Sequence, residues 1–245
     1  MEWADEAVVL AVRAHGEHSA VLDVLTRTHG RYAGLVRGGA SRKARAALQP
    51  GNSLHVVWRA RLAEHLGNFA AEPLQARSGV LIEDRERLVG LNAFTAMVRT
   101  ALPEREPHEG VFEAGLVLLD AMVSQESTDW LALYVRWEVG LLKELGFGLD
   151  LSGCAVTGQR EDLTHVSPKS GRAVSSGVAE PYRDRLLELP PFLLGAKNAV
   201  GRGDIRAGLS LTEHFLAHRV FYPHGRDLPA ARVRLQELVG QLDGG

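Results

Sequence analysis

The chain has 245 residues, 45% of them apolar and 24% charged, which is ordinary for a soluble globular protein and enough for one large or two modest domains. Its 28 Lys and Arg against 30 Asp and Glu leave a near-neutral formal charge of −2, and no apolar run approaches membrane-spanning length. The opening Met1-Glu2-Trp3-Ala4-Asp5-Glu6 is acidic where a secretion signal would be basic, and the single Cys154 excludes an internal disulfide, so a reducing, cytoplasmic setting is expected.

Short β-branched runs fill the first third. Glu6–Arg13 ends at the turn His15-Gly16-Glu17, Ser19–Thr26 ends at Thr28-His29-Gly30, and Arg31–Arg37 alternates before the glycine-rich stretch Gly38–Arg45, which reads as a loop. After the turn Pro50-Gly51-Asn52 come a fourth strand, Ser53–Ala60, and a weaker fifth, Leu66–Glu72. Five short strands with a loop after the third suit a small closed barrel of the OB type, a fold that commonly holds oligonucleotides.

At Arg77-Ser78-Gly79 the period changes to that of helices. Ile82–Leu102 carries Leu88, Leu91, Thr95, Val98 and Leu102 on one stripe. Pro103–His108 makes a loop, and Val111–Ser124 forms the next helix. Thr128 or Asp129 would cap a helix through Trp130, Tyr134, Trp137, Leu141 and Leu145, with Gly146 closing it. Leu149–Ala179 is irregular, and helical signals return at Pro181–Leu189, Asp204–Tyr222 and Pro229–Leu242. The expected fold class is therefore α+β, with a five-stranded OB-fold barrel over residues 1–78, then a helical domain over 79–245 with an irregular insert at about 149–179.

Positive charge is gathered in one place. Arg27–Arg61 holds Arg27, Arg31, Arg37, Arg42, Lys43, Arg45, Arg59 and Arg61 without one Asp or Glu, so it carries +8 and leaves −10 to the rest of the chain. That is the footprint of a polyanion-binding surface. The strand residues Arg31, Arg37, Arg59 and Arg61 also suit the wet face of a barrel. In the loop, glycines allow close approach to phosphate while Arg42, Lys43 and Arg45 supply the counter-charge. Tyr32 and Trp58 sit on the flanking strands: facing outward they would stack on unpaired bases, facing inward they are core. Arg-rich composition suits nucleic acid, because guanidinium pairs bidentately with phosphate and stacks on bases.

Other chemistry finds little support. There is no phosphate-binding G-x-x-x-x-G-K-[ST] loop, no G-x-S-x-G, no H-E-x-x-H and no EF-hand, so no enzymatic constellation is expected. His214 and His218 share a helix face, but Phe215 stands where a metalloprotease carries Glu and no third ligand is evident. Arg202-Gly203-Asp204 reads as a chance tripeptide. Cys154 is followed by Thr157 where a zinc module would place a second Cys, and His165 is the one nearby alternative, so no zinc or other cofactor is expected.

Taken together, Glu6-Ala-Val-Val-Leu10, Gly16–Thr26, His29-Gly30, Val36-Arg37-Gly38-Gly39-Ala40, Leu48-Gln49-Pro50-Gly51, Leu102–His108, Arg136-Trp137-Glu138, Leu145–Gly148, Ser167–Gly171 and Leu228–Arg232 resemble, in order and spacing, the RecO family of bacterial recombination mediators. The resemblance implies an OB domain and a helical domain with a zinc-finger-like insert. It also implies binding and annealing of single-stranded DNA, and two partners, RecR and the C-terminal tail of single-stranded DNA-binding protein. With these, the family loads the RecA recombinase at gaps in the nucleoid. This chain departs from the four-Cys members at the insert: Cys154 remains, Thr157 replaces its partner, and Ser175 stands near the second pair. Arg136, beside a Trp/Tyr/Leu-rich face, reads either as a contact for the acidic tail or as a structural ion pair. An OB-type RNA-binding or ribosome-associated module, or an adapter for an acidic protein, are the alternative readings.

Overall fold

Alternation of apolar and polar side chains sets the first five strands, and their closure into a barrel follows from the length of the first. The computed structural model describes residues 1–62, 64–124, 130–196 and 199–241. Strand β1 (Glu2–His15) has 14 residues, so its first half pairs with β4 (Ser53–Arg59) while its second half pairs with β2 (Ser19–Thr26). A register shift between Val9 and Ala11 bends the strand from one partner to the other, as bulges do at barrel corners. With β3 (Gly30–Val36) and β5 (Asn68–Gln75) the order is β1-β2-β3-β5-β4, closed, with β3 and β5 parallel. This is the expected five-stranded OB barrel, and closure leaves no free edge for a stray strand. It begins at Glu2, four positions before Glu6, because Trp3 alternates inward and lies opposite Trp58.

The stretch expected to be a loop at Gly38–Arg45 is a turn followed by a short helix, α1 (Arg42–Ala47). The Ser41 hydroxyl accepts the Ala44 amide at 3.3 Å, and three of the six helical residues are alanine, the best helix former. Leu48 then turns into the barrel core, 2% exposed.

The helix expected over Ile82–Leu102 is two helices, α2 (Ser78–Glu83) and α3 (Arg85–Ala101). The break is Asp84, whose carboxylate accepts the Glu86 and Arg87 amides and so caps α3. Helix α4 (Glu109–Val123) follows. The barrel and α1–α4 form one compact unit, Met1–Gln125, and the remainder forms a second, Glu126–Gly245. The expected caps Thr128 and Asp129 lie outside the described residues.

The second unit is built on α5 (Trp130–Glu144), α7 (Arg202–Phe215) and α8 (Ala230–Gln241). Between α5 and α7 lies a three-stranded sheet, β6 (Leu163–Val166), β7 (Ala173–Ser175) and β8 (Leu187–Glu188), in the order β7-β6-β8, with a one-turn helix α6 (Ser176–Ala179) after β7. The helical signal at Pro181–Leu189 resolves into a 3-10 turn, Glu180–Arg185, and strand β8, because Pro190-Pro191 blocks helical continuation. Gly146 ends α5 with φ 84°, as its lack of a Cβ permits.

A buried ion pair ties these helices together. Arg232 on α8 donates to both carboxylate oxygens of Glu138 on α5, at 2.5 and 3.0 Å, and also to the Leu209 carbonyl of α7 at 2.9 Å. Thr212 completes the group by donating to Glu138 at 2.5 Å, and both charged side chains are fully buried. Every charge has partners, which is the condition under which such a pair survives burial; removing one member typically costs ~3–5 kcal/mol. Among the described residues no helix is long and apolar enough to cross a membrane.

Candidate nucleic-acid interface

The acid-free window does not remain acid-free in space. Arg27 pairs with Glu6 at 2.7 Å and with Glu113 of α4, its guanidinium lying 4.9 Å from the Phe112 ring centre. Arg31 lies between Asp23 (3.6 Å) and Glu104 (3.2 Å), with its side chain 16% exposed. Burial raises the Asp23 pKa, and Arg99 and Arg31 offset that only in part. Arg59 pairs with Glu2 at 2.7 Å, and this hydrogen bond holds the Glu2 carboxyl below its ordinary value. The charges of Arg27, Arg31 and Arg59 are thus matched within the unit by acids from other strands and from the helical segment.

Tyr32 and Trp58 are core. Trp58 is 1% and Tyr32 8% exposed, and both pack with Trp3 and Phe69 inside the barrel. The Trp58 indole stacks against Trp3 at 5.7 Å and donates Nε1–H to the Leu66 carbonyl at 3.0 Å. Gly67 approaches the indole so closely that any Cβ there would collide with it. Tyr32 is covered by Arg105, whose guanidinium sits 5.1 Å from the ring centre and donates to the Glu64 and His65 carbonyls. Neither ring is a platform for an unpaired base; alternation on β3 and β4 turns both inward.

What remains are five exposed cations, four of them at the end of the barrel where β3 stops and β4 begins, with Arg61 beyond the far end of β4. Arg37, Arg42, Lys43, Arg45 and Arg61 are exposed, and among the described residues their side chains make no ion pair. Arg42, Lys43 and Arg45 stand on α1, and Arg37 opens the turn before it. Strand register adds Arg13, which the window beginning at Arg27 left out. Arg13 pairs with Val21 and His15 with Ser19, two rows that alternate with the inward row through Ala20 and Val36. Arg13 and His15 therefore share the outer face that leads to Arg37. A tally of charge along the chain misses this neighbour, whereas the antiparallel register of β1, β2 and β3 shows it.

Asn52 holds α1 in place. Its side-chain amide donates to the Ala46 and Ala47 carbonyls at 3.1 and 3.0 Å, and its Oδ1 accepts the Arg77 and Ser78 amides at 2.8 and 3.0 Å. Arg77, itself 2% exposed, binds Asp120, Ser53 and Gln75, so the clamp is anchored in turn.

In the second unit Arg136 is exposed, donates to the Phe192 carbonyl at 2.9 Å and lies 5.6 Å from that ring's centre. Among the described residues its hydrogen-bond partner is a neutral carbonyl, which leaves its charge unneutralised there. Cys154, Thr157 and Ser175 are brought together: the Cys154 sulfur accepts from the Ser175 amide and hydroxyl, both at 3.4 Å. Burial raises the thiol pKa, but hydrogen bonds from Ser175 and Thr157 outweigh burial and bring it down to about 6. One thiol and two hydroxyls do not fit a structural zinc, which takes four sulfur or nitrogen ligands. Among the described residues no group of three or more His, Cys, Asp or Glu is placed to hold a metal ion.

Comparison with known proteins agrees with this architecture. Residues 1–77 match the family model described as Recombination protein O N terminal, and residues 82–227 match Recombination protein O C terminal. The chain is 54% identical over 243 residues to a DNA repair protein RecO of Cereibacter sphaeroides, covering 98% of this chain and 100% of that one. It is 50% identical to one from Rhodospirillum centenum, covering 96% and 93%, and 47% identical to one from Caulobacter vibrioides, covering 99% of both.

The core placement of Trp58 has a direct consequence. Trp58→Ala should destabilise the barrel by ~3–5 kcal/mol in a denaturant melt. A variant of wild-type stability with weakened oligonucleotide binding would put the ring on the surface instead.

Proposed function

The chain belongs to the RecO family of DNA repair proteins, and from that premise we propose that it binds and anneals single-stranded DNA through the turn and helix α1. With RecR it helps load RecA onto DNA coated by single-stranded DNA-binding protein, as a cytoplasmic, nucleoid-associated mediator without catalysis of its own. The observation that carries the DNA-binding half is the unpaired charge of Arg37, Arg42, Lys43 and Arg45, fixed on an element that Asn52 clamps to the barrel. Guanidinium and ammonium groups held this way contact the phosphates that every sequence shares, so binding is expected to be sequence-tolerant, as annealing of arbitrary complements requires.

Changing Arg42, Lys43 and Arg45 together to Ala tests this. These side chains are exposed, so stability should shift by no more than about 0.5 kcal/mol. Each lost phosphate contact should flatten the slope of log affinity against log salt by ~0.7, or roughly 2 units in all. Wild-type affinity and slope in the triple variant would remove α1 from the DNA surface. A triple variant that loses structured RNA but keeps single-stranded DNA would favour the RNA-binding reading.

Arg136 serves the protein partner in this account. Its unneutralised guanidinium beside Phe192 suits the carboxylates of the acidic tail of single-stranded DNA-binding protein. Arg136→Ala should weaken binding of a tail peptide by at least several-fold, and unchanged peptide affinity in a folded variant would move the contact elsewhere.

In this account the insert folds without zinc, because hydrogen bonds from Thr157 and Ser175 already satisfy the Cys154 sulfur. Elemental analysis of the purified chain should find no stoichiometric zinc. About one zinc per chain, with unfolding on chelation, would contradict this.

A further inference from the structure

The second unit carries a basic and aromatic surface that the α1 reading does not use. Helix α7 runs on into a π-helical turn, Leu216–Phe221, with i to i+5 bonding. Three rings spaced four residues apart stand along its face. His214 stacks on His218 with centres 4.3 Å apart, and His218 meets Tyr222 edge-on at 5.2 Å. The column is braced from behind: the His218 Nδ1–H donates to the His214 carbonyl at 2.8 Å, and the His214 ring binds the Pro168 carbonyl. Its outer end is open to solvent, with His218 exposed and Tyr222 52% exposed. From His214 to Arg226 there is no acid, and the segment holds Arg219 and Arg226 besides three histidines. Arg219 donates to the Lys169 carbonyl at 2.6 Å, which brings the exposed Lys169 alongside. A cavity of about 170 Å³ opens at the foot of the column, lined by Phe147, Phe215 and Arg219 among others, and Phe147 is 39% exposed there.

We propose that this face is a second contact for single-stranded nucleic acid, with an unpaired base stacked on Tyr222, which His218 supports edge-on, and the adjoining phosphates held by Arg219 and Lys169. The inference shares its ligand class with the α1 reading but rests on different residues, in the other compact unit. Exposed rings beside cations are what an unpaired strand offers partners for: every base has a face to stack and every linkage a charge to neutralise. A duplex hides those faces, so it gains only the charge contacts. A pi-helical turn in a helix that would otherwise continue regularly is a frequent mark of a functional site.

The test uses the full chain, a short fluorescent oligothymidine and a salt series, beside a thermal melt. Tyr222→Ala should keep the wild-type melting temperature and salt slope while lowering affinity about 5- to 150-fold, the equivalent of the ~1–3 kcal/mol that one base stack supplies. Tyr222→Phe should retain wild-type affinity, and Lys169→Ala should flatten the slope by ~0.7. Wild-type affinity in a folded Tyr222→Ala overturns the proposal, as does an equal loss in Tyr222→Phe, which would make the hydroxyl the contact. A Tyr222→Ala chain that binds oligothymidine normally but loses an acidic peptide would assign the face to a protein. Failure of the α1 reading looks different: there the Arg42, Lys43 and Arg45 variant keeps its slope while Tyr222→Ala still loses affinity.

Discussion

One buried carboxamide decides whether the basic helix is a defined surface or a loose strap. Asn52 is 1% exposed, and its two amide hydrogens and its carbonyl oxygen make four hydrogen bonds that link the end of α1 to the start of α2. That uses the full capacity of the side chain, so no smaller or apolar residue substitutes without leaving buried backbone groups unpaired. The backbone of the same residue also ties into the barrel: its carbonyl accepts the Val9 amide at 2.9 Å, beside the bulge where β1 changes partner. The charge on α1 is therefore held in advance of any ligand, and less ordering entropy is lost on binding.

The same unit shows why charge counted along a chain misleads. Arg27 and Arg31 belong to the acid-free window, yet Glu113 and Glu104 reach them from the helical segment that follows the barrel. The loop Pro103–His108 is a strap over that side: Arg105 takes φ 65° while its amide donates to the Arg31 carbonyl, and the Glu106 backbone passes so close to Gly30 that no side chain fits there. The motif that stood out in the sequence is thereby explained by packing, and the arginines beneath it by ion pairing.

The first three strands were legible because each is a short β-branched or alternating run that ends at a glycine turn, and the fifth was weaker because its outer half is mostly exposed. Helix α1 was hidden, since Gly38-Gly39-Ala40-Ser41 reads as loop until the serine is seen capping the next turn. Trp3 was lost among acids, and Arg13 was outside the window although register places it on the same outer face. Strands β6 to β8 have four, three and two residues, too short for alternation to declare itself. The Glu138–Arg232 pair lies 94 positions apart, and no local pattern announces it. Cys154 was visible, but its hydroxyl partners were not, because Ser175 lies 21 positions away at the end of β7 and only the fold brings it to the sulfur.

The central claim is that the strand meets α1 and the turn before it, not the rings of the barrel. Hydrogen exchange of the full chain, free and saturated with a short oligothymidine, measures this segment by segment. The account predicts slower exchange over residues 38–49 in the complex, while the strands at 30–36 and 53–59, already protected by the closed barrel, stay as they were. Unchanged exchange over 38–49 at saturation would contradict it.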